Sequence, residues 1–223
     1  MSVPATRPPT GEPLVGRVVR LDPMSVHDAS GLFAVLADPA VYAQGFRMIE
    51  PFTEQAQAER LVATYRAARP GRTAYTVRLV ADSDLGPAGA VVGTSSLGDV
   101  DVVNQHVHLG WTIYGSRWWG TAVNPEAKLL LLSHAFEDCG FGRVRIQTDV
   151  VNERSQAAIL RLGAVREGVL RRLVRRADGS WRDTVVYSIL EDEWPGVRAG
   201  LDARLRAIPG ARPARLPGTG SRH

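Results

Sequence analysis

The loop from Arg117 to Ala122 contains residue types that suit the binding of an anion. It follows an apolar, aromatic segment that ends at Tyr114, and a strongly apolar helical pattern comes directly after it. The first backbone N–H groups of a helix have no intrahelical partner and carry the positive end of its dipole, so they stabilise an anion. Gly120 allows the backbone to approach a ligand closely, and the small Thr121 and Ala122 leave the site open. The pattern indicates either an anion site or an ordinary strand-to-helix turn.

The helix after this loop is predicted to have Asn124 as its N-cap. Pro125 then suits the first helical position, where an N–H group would have no partner. Apolar residues follow at helical spacing, and Gly140 provides a C-terminal stop. The members of this apolar stripe are Leu129, Leu132, Phe136 and Cys139.

Two strands flank this loop and helix. Residues 105–114 alternate in character, which predicts a strand with one apolar and one more polar face. The first face would hold Val107, Leu109, Trp111 and Ile113, and the second His106, His108, Gly110, Thr112 and Tyr114. Residues 143–148 alternate again, so a second strand follows the helix, and such a unit normally places its strands in parallel.

The remaining elements are predicted from local signals. A first strand covers residues 14–21, and Ser25 with Asp28 resembles a capping box that opens a helix. Thr53 is expected to cap a second helix, and residues 75–79 and 90–97 form an antiparallel pair across a polar turn. A short helix follows residue 155 and stops at Gly163, a hairpin at Asp178-Gly179 joins strands 166–175 and 181–190, and a last helix covers 193–208. These signals indicate one domain over residues 14–208, between a flexible leader (1–13) and a disordered tail (209–223).

Composition narrows the functional class. The chain has 223 residues, a formal net charge of +4 and 44% hydrophobic residues, which is ordinary for a soluble globular protein. Cys139 is the single cysteine, so no internal disulfide forms, and Lys128 is the single lysine among the basic residues. We find no basic run with interleaved aromatic residues, no membrane-spanning stretch and no signal-peptide core. The sequence favours a cytoplasmic protein that binds neither nucleic acid nor membrane.

These residues resemble the Gcn5-related N-acetyltransferase (GNAT) superfamily, and more narrowly the ribosomal-protein N-terminal acetyltransferases of the RimJ/RimL type. The superfamily loop has Arg or Gln, two residues, Gly, one residue, then Gly or Ala, and Arg117, Gly120 and Ala122 match it. Asn152 with Ser155 matches a second signature of that branch. The resemblance covers residues 14–191. It implies an α/β fold with a mixed, mostly antiparallel sheet flanked by helices, in which the fourth and fifth strands are parallel and splay apart.

The resemblance also implies acetyl-CoA as cosubstrate. Backbone groups of Trp111, Thr112 and Ile113 would bind pantetheine and the thioester oxygen, and Asn152 and Ser155 would contact the coenzyme from the other side. Helix capping is the competing role for Asn152. The pyrophosphate would lie on the loop and helix start, formed by Arg117, Trp118, Gly120, Thr121, Ala122, Val123 and Asn124. Trp118 and Trp119 would wall off the coenzyme or serve as packing residues.

The catalytic groups differ from those that are common in the superfamily. His108 stands where many members have a glutamate, so it is the candidate general base, since imidazole titrates near pH ~6.5. The alternative is a strand histidine that fills space, and His106 is a weaker candidate. Ile159 replaces a common tyrosine acid, so Ser155 is expected to hydrogen-bond the leaving thiolate, with helix capping as the competing role. No metal is expected, because the histidines lack a ligand constellation.

The acceptor is predicted to be a primary amine. By the branch resemblance it is a protein N-terminus or lysine, with a small-molecule amine such as an antibiotic, polyamine or amino acid as the rival. A regulatory module that binds acetyl-CoA without turnover is the hypothesis from another class. A homodimer is possible.

Overall fold

A single eight-stranded sheet forms the centre of the computed structural model, which describes residues 5–43, 45–46, 48–68 and 71–208. Its strands are β1 (Leu14–Val15), β2 (Val19–Pro23), β3 (Arg72–Leu79), β4 (Val91–Asp101), β5 (His106–Tyr114), β6 (Arg143–Asp149), β7 (Val165–Arg175) and β8 (Trp181–Leu190). The strand order is β1-β2-β3-β4-β5-β6-β8-β7. Only β5 and β6 pair in parallel among these strands. The predicted mixed, mostly antiparallel α/β fold is confirmed.

In the described part of the chain, six α-helices cover the two faces of the sheet. They are α1 (Ala29–Leu36), α2 (Ala40–Ala43), α3 (Gln55–Ala67), α4 (Val123–Ser133), α5 (Glu153–Leu160) and α6 (Trp194–Ala207). We call the face covered by α1 and α3 the front face, where Leu32, Val62 and Ile113 are buried together. The face covered by α4 and α6 is the back face, and its larger core includes Leu109, Leu131 and Leu201. None of the described helices is long and apolar enough to cross a membrane.

The predicted first strand is interrupted, because residues 16–18 form a turn between β1 and β2. The side chain of Glu126 on α4 causes this break. Its carboxylate accepts hydrogen bonds from the backbone N–H groups of Arg17, Val18 and Val19, at 2.9, 2.6 and 2.7 Å. An unbroken strand over residues 14–21 was therefore the wrong prediction, because a tertiary contact takes up these donors.

Two of the predicted helix caps also need correction. Helix α4 begins at Val123 with Ala122 as its N-cap, so Asn124 is the second helical residue and Pro125 the third. Proline is tolerated there because the first-turn N–H groups have no intrahelical partner. Glu54, and not Thr53, is the N-cap of α3, and it forms a capping box with Gln57. The predicted box of Ser25 and Asp28 is confirmed, although it first opens a 3₁₀ turn at residues 26–28.

The regular alternation predicted for β5 is wrong beyond Gly110. Trp111 has φ +50°, and the residues opposite β4 skip from the pair Ser96–Gly110 to the pair Thr94–Ile113. This bulge inserts one residue, so Gly110 and Trp111 both face the front. Ile113 also belongs to the front core, whereas Tyr114 belongs to the back core. The strand therefore changes its pattern in the middle, for a reason that hydrophobic spacing does not encode.

Residues of the predicted leader contact the folded domain. The hydroxyl of Thr6 donates to the Gly140 carbonyl at 2.8 Å, and the backbone N–H of Arg7 donates to the Cys139 carbonyl at 2.9 Å. The carbonyl of Pro9 accepts from Thr73 at 3.2 Å. The domain boundary at residue 14 stays a prediction, and the predicted tail from residue 209 lies outside the described residues.

Candidate active site

A gap opens between β5 and β6 where their pairing ends. The parallel ladder joins His106, Val107 and His108 to Arg143, Val144 and Arg145 and stops there. Strand β6 continues to Asp149, but beyond Arg145 it pairs only with β8 among the described strands. The backbone of β5 from Gly110 onward therefore has an edge without a strand partner, which can bind an extended ligand such as pantetheine.

The loop from Ser116 to Ala122 lies at the mouth of this gap. A 3₁₀ turn covers Ser116–Trp118, and Gly120 has φ +76° with no atom within 4 Å of the position that a Cβ would take. The hydroxyl of Thr121 donates to the Trp118 carbonyl at 2.7 Å. No acceptor among the described residues binds the amide nitrogens of Gly120, Ala122 and Asn124. The open space and the free N–H groups fit a phosphate group.

The side chains of Arg117 and Trp118 point away from this cradle. Both donate to the carbonyl of Leu85, in the turn between β3 and β4, at 3.1 and 3.0 Å. Trp118 is buried in the back core. In this arrangement the two side chains hold the loop against the sheet, and the backbone N–H of Trp118 donates to the Gly115 carbonyl at 3.1 Å, so Trp118 has no free donor for the anion.

Residues after β6 form the other wall of the gap. Asn152 is the N-cap of α5, and its side-chain oxygen accepts from the backbone N–H of Ser155 at 3.0 Å. The guanidinium of Arg154 lies 3.7 Å from the ring centroid of Trp119, whose indole N–H donates to the Tyr114 carbonyl at 3.0 Å. This cation–π pair links the two chain segments that flank the gap.

His108 lies on the front face beside the end of the ladder, with an exposed fraction of 4%. Its Nδ1 lies 3.2 Å from Asp99 Oδ2, and the same carboxylate oxygen accepts from Arg145 Nη2 at 2.5 Å. Burial lowers the pKa of His108, and the hydrogen bond to Asp99 opposes this shift in part. The hydrogen bond from His108 lowers the pKa of Asp99. A neutral imidazole with Nδ1 donating to an ionised carboxylate leaves Nε2 as a proton acceptor.

The described residues around the His108 ring enclose Nε2 without pairing it. This buried atom has no hydrogen-bond partner among the described residues. The ring of Trp111 lies 4.7 Å from the His108 ring, between centroids. A Cβ placed on Gly110 would lie 2.6 Å from Nε2, so only glycine leaves the ring in this position. The bulge at Trp111 thus brings an aromatic wall and an open backbone site to the same ring.

A second polar cluster lies on the back of the bulge. Lys128 Nζ of α4 donates to Thr112 Oγ1 at 2.8 Å and lies 3.5 Å from Ser95 Oγ, and the two hydroxyls are 2.7 Å apart. Burial lowers the pKa of Lys128 to about 7. The side chain of Thr112 is therefore bound by the protein, and only its backbone faces the gap.

The structure brings together most of the predicted site. His108, the β5 bulge with Trp111, the loop around Gly120 and the start of α5 with Asn152 all border the gap. Sequence reasoning missed Asp99, Arg145, Lys128 and Arg154. No local signal singles out Asp99, and its partnership with His108 depends on the register of β4 with β5. Among the described residues no three His, Cys, Asp or Glu side chains form a metal site, and the absence of a metal stays a prediction.

Three features of the site define its class: strand β5, the glycine-containing loop over the N-terminus of α4, and the parallel strand β6 that separates from β5. They are the features of an acetyltransferase that binds a nucleotide cofactor. Residues 19–165 match the family of the acetyltransferase (GNAT) domain. The chain belongs to the GNAT acetyltransferase family. The resemblance drawn from the loop and from Asn152 is confirmed.

Relatives of known sequence or structure agree with this assignment. YdaF of Bacillus subtilis (strain 168), provisionally named as a ribosomal N-acetyltransferase, is 34% identical over 108 residues, which are 48% of this chain and 58% of YdaF. The match thus spans little more than half of that relative. A provisionally named acetyltransferase from T. thermophilus is 38% identical, with a TM-score of 0.75 over 87% of this chain and 97% of that chain. RimJ of Mycobacterium smegmatis, solved with CoA-disulfide, shares the fold at 21% identity, with a TM-score of 0.67 over 86% of this chain and 92% of its own.

Proposed function

We propose that this protein transfers the acetyl group of acetyl-CoA to the primary amine of a protein, at its N-terminus or at a lysine. The observation that carries the proposal is the buried His108, hydrogen-bonded to the exposed Asp99 beside the open edge of β5. A regulatory module that only binds the coenzyme has no need of an oriented, unprotonated imidazole at this place. The pair therefore favours an enzyme over a binding module.

The residues around the gap supply what an acyl transfer to an amine requires. Acetyl-CoA, when bound, supplies an activated thioester carbonyl. The N–H groups near Gly120 and the start of α4 hold the phosphate groups, and the free backbone of β5 from Trp111 to Ile113 binds the pantetheine arm and the thioester oxygen. These contacts orient the carbonyl for attack by an amine placed near His108.

His108 removes the proton that the acceptor amine must lose. Its Nδ1–H donates to Asp99, and Nε2 takes a proton from the ammonium or through one water molecule. The amine nitrogen then forms a bond to the acetyl carbon, the bond between this carbon and sulfur breaks, and the second proton that the nitrogen loses passes to the departing sulfur, which leaves as the thiol of CoA. Ser155, in the first turn of α5, donates a hydrogen bond to the departing thiolate, and Asn152 fixes the start of that helix. The proton on His108 passes to solvent after release.

The lowered pKa of His108 favours an α-amino group over a lysine side chain. An α-amino group has an unperturbed pKa of about 7.7–8.0, whereas a lysine amine has about 10.4. A weakly basic imidazole removes a proton more readily from the first. The name of YdaF, which refers to ribosomal N-acetylation, is consistent with a protein acceptor. A cytoplasmic location and a homodimer stay predictions.

The release of free CoA by the purified full chain tests this function. We expect release with acetyl-CoA and a peptide that has a free N-terminus, less release with the same peptide blocked at its N-terminus but carrying a lysine, and little with a polyamine. His108→Gln is expected to lower kcat by about 10²–10⁴-fold. His106→Gln, the exposed histidine on the same strand, is the matched control and is expected to retain activity.

Other outcomes point to the rival functions. Tight binding of acetyl-CoA with no release of CoA across all amines would indicate a regulatory module. Faster release with the polyamine than with peptides would indicate a small-molecule acetyltransferase. Mass spectrometry of a cell lysate treated with acetyl-CoA and either wild type or His108→Gln would then identify acceptor proteins.

A further inference from the structure

A row of charged residues crosses four strands on the front face. Arg72 of β3 pairs with Gly98 of β4, Gly98 with His108 of β5, and His108 with Arg145 of β6. Residues paired in this way stand about 5 Å apart from strand to strand and share a face. We call Arg72, His108 and Arg145, together with Asp99, the charged row. Arg72 is therefore two strands, or about 10 Å between Cα atoms, from His108.

Arg72 is buried beside the aromatic wall of the site. Its guanidinium carbon lies 3.9 Å from the Tyr65 ring centroid and 4.8 Å from that of Trp111, and the residue is 9% exposed. Gly98 leaves the space for this packing, because a Cβ there would lie 2.8 Å from the Trp111 ring. Trp111 thus contacts both Arg72 and the catalytic candidate His108.

The guanidinium of Arg72 has no ionic partner in the described part of the chain. No carboxylate of the described residues lies within 4.0 Å of it, unlike those of Arg78, Arg143, Arg145 and Arg176. Its Nε is buried and has no acceptor among the same residues. Burial lowers the pKa of Arg72, but a guanidinium group stays protonated in proteins. A buried charge of this kind is costly unless something pairs with it.

The charged row holds one surplus positive charge. Asp99 is its only carboxylate, and both Arg145 and His108 already contact it. With His108 neutral, two guanidinium groups face one carboxylate. The surplus matches the single negative charge of a carboxylate better than the two charges of a phosphate. The planar guanidinium is also suited to bind a carboxylate through two parallel hydrogen bonds.

We propose that Arg72 binds a carboxylate of the acceptor, and that the preferred acceptor carries this carboxylate within one or two residues of the amine that His108 deprotonates. The inference rests on the proposed acetyltransferase function and specifies its substrate. The carboxylate belongs to an acidic side chain near a protein N-terminus or to the α-carboxylate of a free amino acid. Arg72 is in either case a specificity-determining residue and not an acid or base.

Matched acceptor pairs test this assignment. One pair consists of peptides that differ only in Glu or Gln at the second position, and the other of methionine and methioninamide. Free CoA release is measured for each with wild type and Arg72→Gln. We expect Arg72→Gln to lower kcat/KM about tenfold to hundredfold for the carboxylate member of a pair. The neutral member should change by no more than about twofold, since it makes no charged bond to Arg72.

Controls separate recognition from folding. Arg60→Gln removes a positive charge at an exposed position of α3 and should leave the preference unchanged. Arg72→Lys keeps the charge but not the planar fork, so it should retain part of the preference. Thermal unfolding of each variant shows whether the fold is intact. If Arg72→Gln lowers both members of a pair equally, or wild type has no preference for either carboxylate, the proposal is overturned.

The pair that shows the preference identifies the source of the carboxylate. Calorimetric titration of the same acceptors into the protein with CoA keeps this test independent of turnover. If no amine releases CoA, the proposed function fails. The carboxylate site is still supported if Arg72→Gln binds the carboxylate member of a pair more weakly than wild type does, while both proteins bind the neutral member equally well. Equal binding of both members by wild type would reject it.

Discussion

Two carboxyl-centred clusters lie on opposite faces of the sheet, one around the buried Glu126 and one around the exposed Asp99, and they differ in how completely their polar atoms are paired. On the back face, Glu126 accepts three backbone N–H groups, and a glycine at residue 16 leaves room for its side chain. On the front face, Asp99 binds His108 and Arg145, but His108 Nε2 and Arg72 Nε have no partner among the described residues. A completely paired buried group fixes the chain, whereas unpaired atoms beside a gap are available to a substrate. We therefore assign a structural role to the cluster around Glu126 and a role in catalysis and substrate binding to the cluster around Asp99.

Among the substitutions that test this contrast, we expect the replacement of Glu126 to have the largest effect on stability. Glu126→Gln keeps the size of the side chain but removes its charge and leaves donors of residues 17–19 poorly paired, so we expect the free energy of unfolding to fall by about 2–4 kcal/mol. Urea unfolding measures the loss. The kcat per folded molecule should remain within about twofold of wild type, since Glu126 does not border the gap.

His108→Gln is the matched opposite of Glu126→Gln. It should reduce turnover strongly and leave the midpoint of urea unfolding nearly unchanged. If Glu126→Gln instead abolished turnover of the folded protein, or His108→Gln unfolded it, the division between a structural back cluster and a chemical front cluster would be wrong.

Replacing Lys128 is expected to change the free energy of unfolding less than replacing Glu126 does, and the size of this change depends on pH. Its pKa is about 7 in the folded protein, whereas an unfolded lysine has about 10.4. Between these values the unfolded chain binds the extra proton, so the free energy of unfolding rises with pH, by about 2 kcal/mol from pH 7 to pH 9. Lys128→Met should remove this rise and be the more stable protein at pH 7. Urea unfolding of both proteins at several pH values measures the difference, and parallel curves would refute it.

Asp99→Asn is expected to have the smallest effect, on the rate and its dependence on pH. The hydrogen bond that His108 donates to Asp99 raises the pKa of His108, which burial lowers overall. In wild type the acid limb of kcat/KM should therefore lie below pH ~6.5. Asp99→Asn should move this limb to still lower pH and reduce the plateau about tenfold, because the ring loses its orientation. A limb that moves to higher pH would show that His108 is not the base.

The sequence predicted the elements whose signals are local. Strand β8 has the predicted bounds, the hairpin turn lies at Asp178-Gly179, where Gly179 has φ +80°, and the box of Ser25 and Asp28 opens the 3₁₀ turn before the first helix. Each of these features depends on residues a few positions apart. The loop around Gly120 and the cap at Asn152 were predictable for the same reason.

The parts that the sequence did not predict depend on contacts between distant residues. Glu126 interrupts the first strand from a helix more than a hundred residues away along the chain. Asp99 reaches His108 only because it takes φ +49° at an irregularity in the pairing of β4 with β5. Arg72 joins the site through strand register. No spacing rule within one element reports such neighbours, so the base could be proposed but its partners could not.

The bulge at Trp111 also limits how this strand can change in evolution. One added residue allows β5 to supply side chains to the front core and to the back core within a few positions. Straightening the bulge without deleting that residue would restore simple alternation and move Thr112 and Tyr114 to the opposite face, away from Lys128 and the back core, whereas deletion of the extra residue would leave both on the back face. Related chains that differ in length here should therefore be aligned by the bulge and not by hydrophobic residues, since a shift of one position exchanges the two interiors of the protein.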